Sequence, residues 1–295
     1  MNMENSFLSL LYAHFFGLRF KESELQQISS HKHLPVEEIL SLLSPETRGE
    51  LHRLNWRERW QRALEVSHRL SVGFASRFCE DYPASFHHLP EPPLLVTYMG
   101  KPIWQKQALV GVVGSRRPCP QTLEWMSHHL PGFLQAAQMT VVSGGARGVD
   151  QWAHRLSLAA GRSTLCVVPS GLSCLYPEGL KEFSAEVTAS GGAFLSAYAL
   201  DQEMRKYFFP QRNQWIAALG SFCFVAEAGL KSGSLLTAKL AQNLGREVMT
   251  LPFSVWQGGG AGSNWLLQQG GAHLALREED LIALAFREAS KFRCF

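Results

Sequence analysis

The stretch SGGARGVDQWAH, residues 143–154, closes an apolar run and opens a helical pattern behind three glycines. Such a turn presents backbone N–H groups at the positive end of a helix, where they can hold a phosphate. Ser143, Gly144, Gly145, Arg147 and Gly148 are the candidates, although the same glycines also permit a tight strand-to-helix turn with no ligand. Asp150, in the first helical turn, is expected to complement the helix dipole and not to move protons.

Three other segments repeat this chemistry. In GSRRPCP, residues 114–120, Gly114 allows close approach, Ser115 offers a hydroxyl and Arg116 a planar fork suited to phosphate. Arg116 and Arg117 also read as a solvated pair on a loop. In FFPQRNQWIAAL, residues 208–219, a proline-led turn delivers Arg212 and Asn213 at the start of a helix. Phe208 and Phe209 there suit either base stacking or the core. In EAGLKSGSLLTAKLAQNLGR, residues 227–246, Ser232, Gly233 and Ser234 form a hydroxyl-rich cap, with Thr237 one turn further on. Capping accounts for the serines, whereas Gly233 between them suggests close approach to the backbone. The four loops together could surround one anionic ligand.

Bond-making chemistry has little support. GLSCL, residues 171–175, lacks the GxSxG spacing of a nucleophile elbow, and no nucleophile has an evident histidine and acid partner. Glu227, at a strand end, is the one carboxylate worth testing as a base, and it equally reads as an acceptor of loop hydrogen bonds. The loops match neither GxGxxG nor a Walker P-loop, so no nucleotide cofactor is expected.

The elements that position these loops alternate along the chain. Apolar runs at 109–114, 140–145, 164–171, 193–198, 222–229 and 247–252 are separated by segments of helical periodicity. Val- and Leu-rich runs with little polar alternation, interleaved with helices, predict an α/β fold with a doubly wound, mostly parallel Rossmann-like sheet. Ligands of such sheets bind outside the carboxyl ends of the strands. A helical pattern runs from Asn5 to about Phe74, with a cap at Ser44-Pro45-Glu46-Thr47, and LLVTY at 94–98 reads as a strand entering the second unit. The expected division is a small helical domain over 1–75, the sheet domain over 76–285 and a short tail over 286–295.

Composition bounds the rest. Of 295 residues, 46% are hydrophobic, enough for a substantial core, and Lys plus Arg exceed Asp plus Glu only by 28 to 25. Any anion site must therefore be local. The six cysteines, Cys79, Cys119, Cys166, Cys174, Cys223 and Cys294, form no CxxC pair, and the histidine pairs lack metal-ligand spacing, so no metal and a reducing, cytoplasmic compartment are expected. The apolar run at 7–18 is too short to cross a membrane and fits a buried helix.

Taken in order, GSRRP, SGGARGVDQWAH, GLSCLYP, FFPQRNQWIAAL, EAGLKSGSLLTAKLAQNLGREV and GAGSNWLLQQGGA resemble the DNA-processing protein A family, also called Smf, across about residues 80–282. The resemblance implies a Rossmann-like domain that binds single-stranded DNA without sequence preference and protects incoming strands during natural transformation. It also implies delivery of those strands to the recombinase RecA, by a homodimer, without catalysis. Residues before about 75 resemble the family only in being a short helical domain, which is expected to be SAM-like. By matched position it carries DNA contact to Ser115, Arg116, the turn from Ser143 to Gly148, Arg212, Asn213, Ser232, Gly233, Ser234 and Thr237, with Tyr176 and Lys181 as further candidates for stacking and charge.

The sequence departs from the family at Gln214 and Glu178, where basic residues are frequent, and at Phe253, where glycine follows the proline. Those changes weaken the expected affinity. The winged-helix domain that many members carry after the sheet is not expected here. A dimer surface is expected around residues 265–275, where Trp265 and Leu266 also suit the core. The alternative from another class is a nucleotide-binding enzyme of the phosphoribohydrolase kind using Glu227.

Overall fold

Runs of Val, Leu and Phe without polar alternation must be covered on both faces, and the chain arranges its helices accordingly. The computed structural model describes residues 6–291. Nine strands form one sheet: β1 (Val72–Ser76), β2 (Leu95–Gly100), β3 (Ala108–Val113), β4 (Met139–Ser143), β5 (Thr164–Val167), β6 (Ala193–Ser196), β7 (Cys223–Val225), β8 (Val248–Thr250) and β9 (His273–Leu274). Their order is β1-β2-β6-β5-β4-β3-β7-β8-β9. Pairing from β6 to β9 is parallel, while β2 runs antiparallel to both β1 and β6. The chain moves from β3 outward through β4, β5 and β6, then returns to place β7 on the other side of β3. That reversal makes the carboxyl ends beside β3 the expected ligand crevice.

Five helices precede the sheet: α1 (Ser6–Tyr12), α2 (Glu22–Ser30), α3 (Val36–Leu42), α4 (Pro45–Arg53) and α5 (Trp56–Leu70). Ser44 caps α4 by accepting the Thr47 N–H at 3.2 Å, with Pro45 at the first helical position. Loss of that hydroxyl would remove about 1 kcal/mol. The helices share a core with the sheet: Leu10, Leu11, Ile28 and Trp60 cluster with Leu95, Cys166 and Phe194. Tyr12 packs against Trp60 and Phe74 and accepts the Leu200 N–H through its hydroxyl at 3.2 Å.

Two expected boundaries shift. The helical pattern stops at Leu70 because Ser71 adopts a left-handed conformation at φ 53°, and the following residues pair with β2 as β1. Phe74 is therefore a strand residue. Residues 286–291, expected in a tail, continue α12 (Glu278–Lys291). Cys294 lies outside the described residues, and the other five cysteines are free thiols.

The remaining helices are α6 (Pro120–Ala136), α7 (Val149–Ala159), α8 (Leu180–Ala189), α9 (Phe208–Leu219), α10 (Gly233–Asn243) and α11 (Ala261–Gln268). Along β3, Val110 and Val112 join α6, α7 and α12 on one face. Leu109 and Val113 join α9 and α10 on the other. This alternation fixes register, since a one-residue slip would exchange the two cores.

His154, fully buried on α7, carries a consequence for pH. Its Nδ1 lies 2.7 Å from the Thr164 hydroxyl, which itself donates to the Val141 carbonyl, so the ring is the neutral Nδ1–H tautomer. Its Nε2 is buried without a hydrogen-bond partner. Burial lowers its pKa from 6.5 to about 3, with the Arg212 charge acting in the same direction. The unfolded chain binds the proton that the folded protein resists, so this contribution to stability is complete above pH 6.5 and is lost as pH falls toward 3. Chemical denaturation between about pH 7 and pH 4 should show a decline that is shallower in His154→Phe.

Candidate nucleic-acid interface

The loops after β3, β4 and β5 and the first turn of α9 enclose an open cleft of about 460 Å³ at the carboxyl edge of the sheet. Arg116, Arg117, Arg147, Tyr176, Glu178 and Phe209 supply its side chains, so three guanidiniums face one carboxylate. Phe209 organises the group. The Arg116 guanidinium lies over its ring at 5.1 Å, and Tyr176 meets the ring edge-on at 6.2 Å. Arg116, Arg117, Arg147 and Tyr176 are exposed. Cation–π contact holds an arginine in place while leaving its N–H groups toward solvent.

Beneath this surface the loops are tied to one another. Ser115 O accepts the Val149 N–H at 3.1 Å, joining the loop after β3 to the first turn of α7. The Ser115 hydroxyl accepts the Arg117 N–H at 3.1 Å. Gly148, at φ 84° and ψ −128°, occupies a conformation open to glycine, and a Cβ there would stand 2.4 Å from Ser115 O. The glycine requirement at 148 is therefore set by loop packing.

Arg212 differs from the sequence expectation of a phosphate contact. It is 3% exposed, and its Nη1 donates to the carbonyls of Gly144 and Val167, the latter at 2.8 Å. It braces the ends of β4 and β5 from below, with its Nε on Asn213 Oδ1 at 3.1 Å. An alanine at 144 would place its Cβ on this guanidinium. Asp150 is also buried and accepts the Ala146 N–H at 3.3 Å, closing the glycine turn on itself. Burial pushes the Asp150 carboxyl up, and the Arg212 charge draws it back down.

The other candidates divide by position. Ser143 is buried, with its hydroxyl donating to Val112 O at 2.5 Å, and so faces the neighbouring strand. Gly144 lines the cleft, whereas Gly145 turns the chain at φ 68° against Leu180 and Cys166. Ser232 caps α10 by accepting the Leu235 N–H at 3.3 Å, Ser234 is buried, and buried Thr237 donates to Gly233 O at 3.3 Å. Asn213 Nδ2 donates to Gly233 O at 3.3 Å and joins α9 to α10 beside the cleft. Lys181 is exposed on α8 and does not line the cleft.

Phe209 and Phe208 separate cleanly. Phe208 stacks on Tyr198 at 4.0 Å in the core, and Phe209 turns to the cleft. Glu227 is 2% exposed, and its Oε2 accepts the Cys119 N–H at 2.8 Å and the Thr122 hydroxyl at 2.7 Å. It caps α6 as a structural acceptor and does not line the cleft.

Residues 74–285 match the family profile described as DNA recombination-mediator protein A. The chain belongs to this family. Relatives in the family include protein Smf of Escherichia coli, 38% identical over 52% of this chain and 41% of that protein. The DNA processing protein DprA of Streptococcus pneumoniae is 33% identical over 68% of this chain and 70% of that protein. Protein Smf of Synechocystis is 33% identical over 75% of this chain and 56% of that protein, so the chain spans less than two thirds of both Smf relatives.

Solved structures of the family superpose over most of the chain. The DprA structure from Streptococcus pneumoniae matches with a TM-score of 0.75 at 28% identity, covering 96% of this chain and 98% of that one. DNA processing protein A of Helicobacter pylori, a structure concerned with single-stranded DNA binding, matches with a TM-score of 0.64 at 28% identity, covering 73% of this chain and 96% of that one. Among the described residues, no helix is long and apolar enough to cross a membrane.

Proposed function

We propose that this chain binds single-stranded DNA in the cleft at the carboxyl edge of its sheet, without sequence preference and without making or breaking bonds. The arrangement of Arg116 and Tyr176 around Phe209, flanked by Arg117 and Arg147, carries the proposal. Guanidiniums hold successive phosphates, and exposed aromatic faces accept bases of any identity. Glu178 in the same cleft lowers the attraction.

In this reading the protein acts in the cytoplasm, protects incoming strands during natural transformation and delivers them to RecA. Family membership as a recombination mediator supports that assignment. Homodimerisation through the region of residues 265–275 would align two clefts on one strand. Support comes from the exposed edge strand β9 and from Trp265, partly buried beneath Lys239 at 5.2 Å.

Fluorescence anisotropy of a labelled oligothymidylate of about 16 nucleotides tests the proposal. Three phosphate-contacting arginines give a slope of about −2 for log K against log salt, at about 0.7 each. Arg116→Glu should weaken binding about 10- to 100-fold and flatten that slope. No binding by the wild type at low salt would reject the DNA reading.

A further inference from the structure

Trp256 is 92% exposed and Val255 beside it 84%, higher than any other large apolar residue described. Isolated exposed apolar residues are ordinary on protein surfaces, but this pair sits on a turn that is fixed at both ends. Phe253 N–H donates to Asn264 Oδ1 at 2.9 Å, and Asn264 Nδ2 donates to Phe253 O at 2.8 Å. The Phe253 ring packs into the core under Gly260, and Gln257 N–H closes the turn on Ser254 O at 2.9 Å. The indole is therefore held outward by ordered backbone.

The turn follows β8, which runs parallel to β7, so it stands on the same edge of the sheet as the arginine cleft. Glu227 joins the two regions: one carboxylate oxygen takes the Cys119 N–H, and the other lies 2.9 Å from where a Cβ of Gly259 would be. Phe253 and Gln257 share a hollow with Cys119 and Thr122, at the start of α6. Trp256 thus flanks the Arg116 loop on the side away from Tyr176. From β5 to β8 the strand order β5-β4-β3-β7-β8 gives four spacings, or about 19 Å. Exposed Arg117 and Lys231 stand on the loops between.

We infer that Trp256 is a second base-stacking platform on the path of the same DNA strand that occupies the cleft. This rests on the DNA reading above. Nucleobases suit the site because the indole, beside Val255, has small or polar chain neighbours in Ser254, Gln257, Gly258 and Gly259, which leave its face open to a flat ring. A strand laid from Tyr176 across Arg116 and Arg117 reaches the indole with its phosphates over basic residues.

Anisotropy with oligothymidylates of about 4 and about 16 nucleotides tests this, using wild type, Trp256→Ala, Trp256→Phe and Arg116→Glu. Trp256→Ala should weaken the longer oligomer about 5- to 150-fold and leave the shorter one unchanged, with Trp256→Phe restoring most of the loss. Unchanged affinity of Trp256→Ala for the longer oligomer, with Arg116→Glu still defective, overturns the platform and leaves the cleft standing. A change in oligomeric state on gel filtration, with DNA affinity intact, assigns the turn to a second copy and overturns it equally. Absence of wild-type binding to both oligomers overturns the cleft and the platform together.

Discussion

Arg212→Ala is expected to destabilise the fold by about 3–5 kcal/mol, the range seen when one partner of a buried charged network is removed. The substitution strands the carbonyls of Gly144 and Val167, which the guanidinium now satisfies, and leaves Asp150 buried without its counter-charge. It also opens a cavity under the ends of β4 and β5. Arg212→Lys should recover only part of the loss, since an ammonium lacks the fork that reaches both carbonyls and Asn213. Denaturant melts of the three proteins, compared at fixed slope, measure this directly. A loss below about 1 kcal/mol in Arg212→Ala would show that the arginine is not the brace the geometry describes.

Gly148→Ala should lower both stability and binding. The left-handed backbone at φ 84° costs alanine about 1–3 kcal/mol, and its methyl would press on Ser115 O, 2.4 Å away. Relief requires the loop after β3 to move, taking Arg116 off Phe209, so affinity for single-stranded DNA should fall about tenfold or more. Gly233→Ala supplies the contrast. A Cβ at 233 meets only Asn213 Nδ2, at 3.8 Å, so folding should be unaffected. Weaker DNA binding by Gly233→Ala in a fully stable protein would place the ligand against that backbone, whereas equal affinities for Gly148→Ala and wild type would detach the loop contact from binding.

Much of the architecture is legible in the sequence because parallel strands buried on both faces leave continuous apolar runs. All six such runs from residue 109 onward are strands, β3 to β8. LLVTY at 94–98 marks β2, but β1 and the antiparallel pairing are not legible, because Val72 to Ser76 continues the apolar spacing of α5 without a proline or glycine cluster to mark the change. Arg212 was open to a different reading of its own periodicity. Phe208, Arg212, Trp215, Ile216 and Leu219 form one buried stripe on α9, so the arginine falls on the apolar face and Phe209 off it. Asp150 lies likewise on the buried stripe of Val149, Ala153 and His154. A charged residue on such a stripe signals a brace before a ligand contact, but only the fold shows which carbonyls it braces.

A single strand laid across the carboxyl edge of the sheet should protect the loops beneath it. Hydrogen exchange of the protein with and without an oligothymidylate of about 16 nucleotides tests it most directly. Slowed exchange is predicted in the loops at 114–119, 144–148 and 168–178, with none at residues 101–107 and 161–163, which lie at the opposite end of the strands. Protection confined to that opposite end, or spread evenly over the surface, would contradict the account.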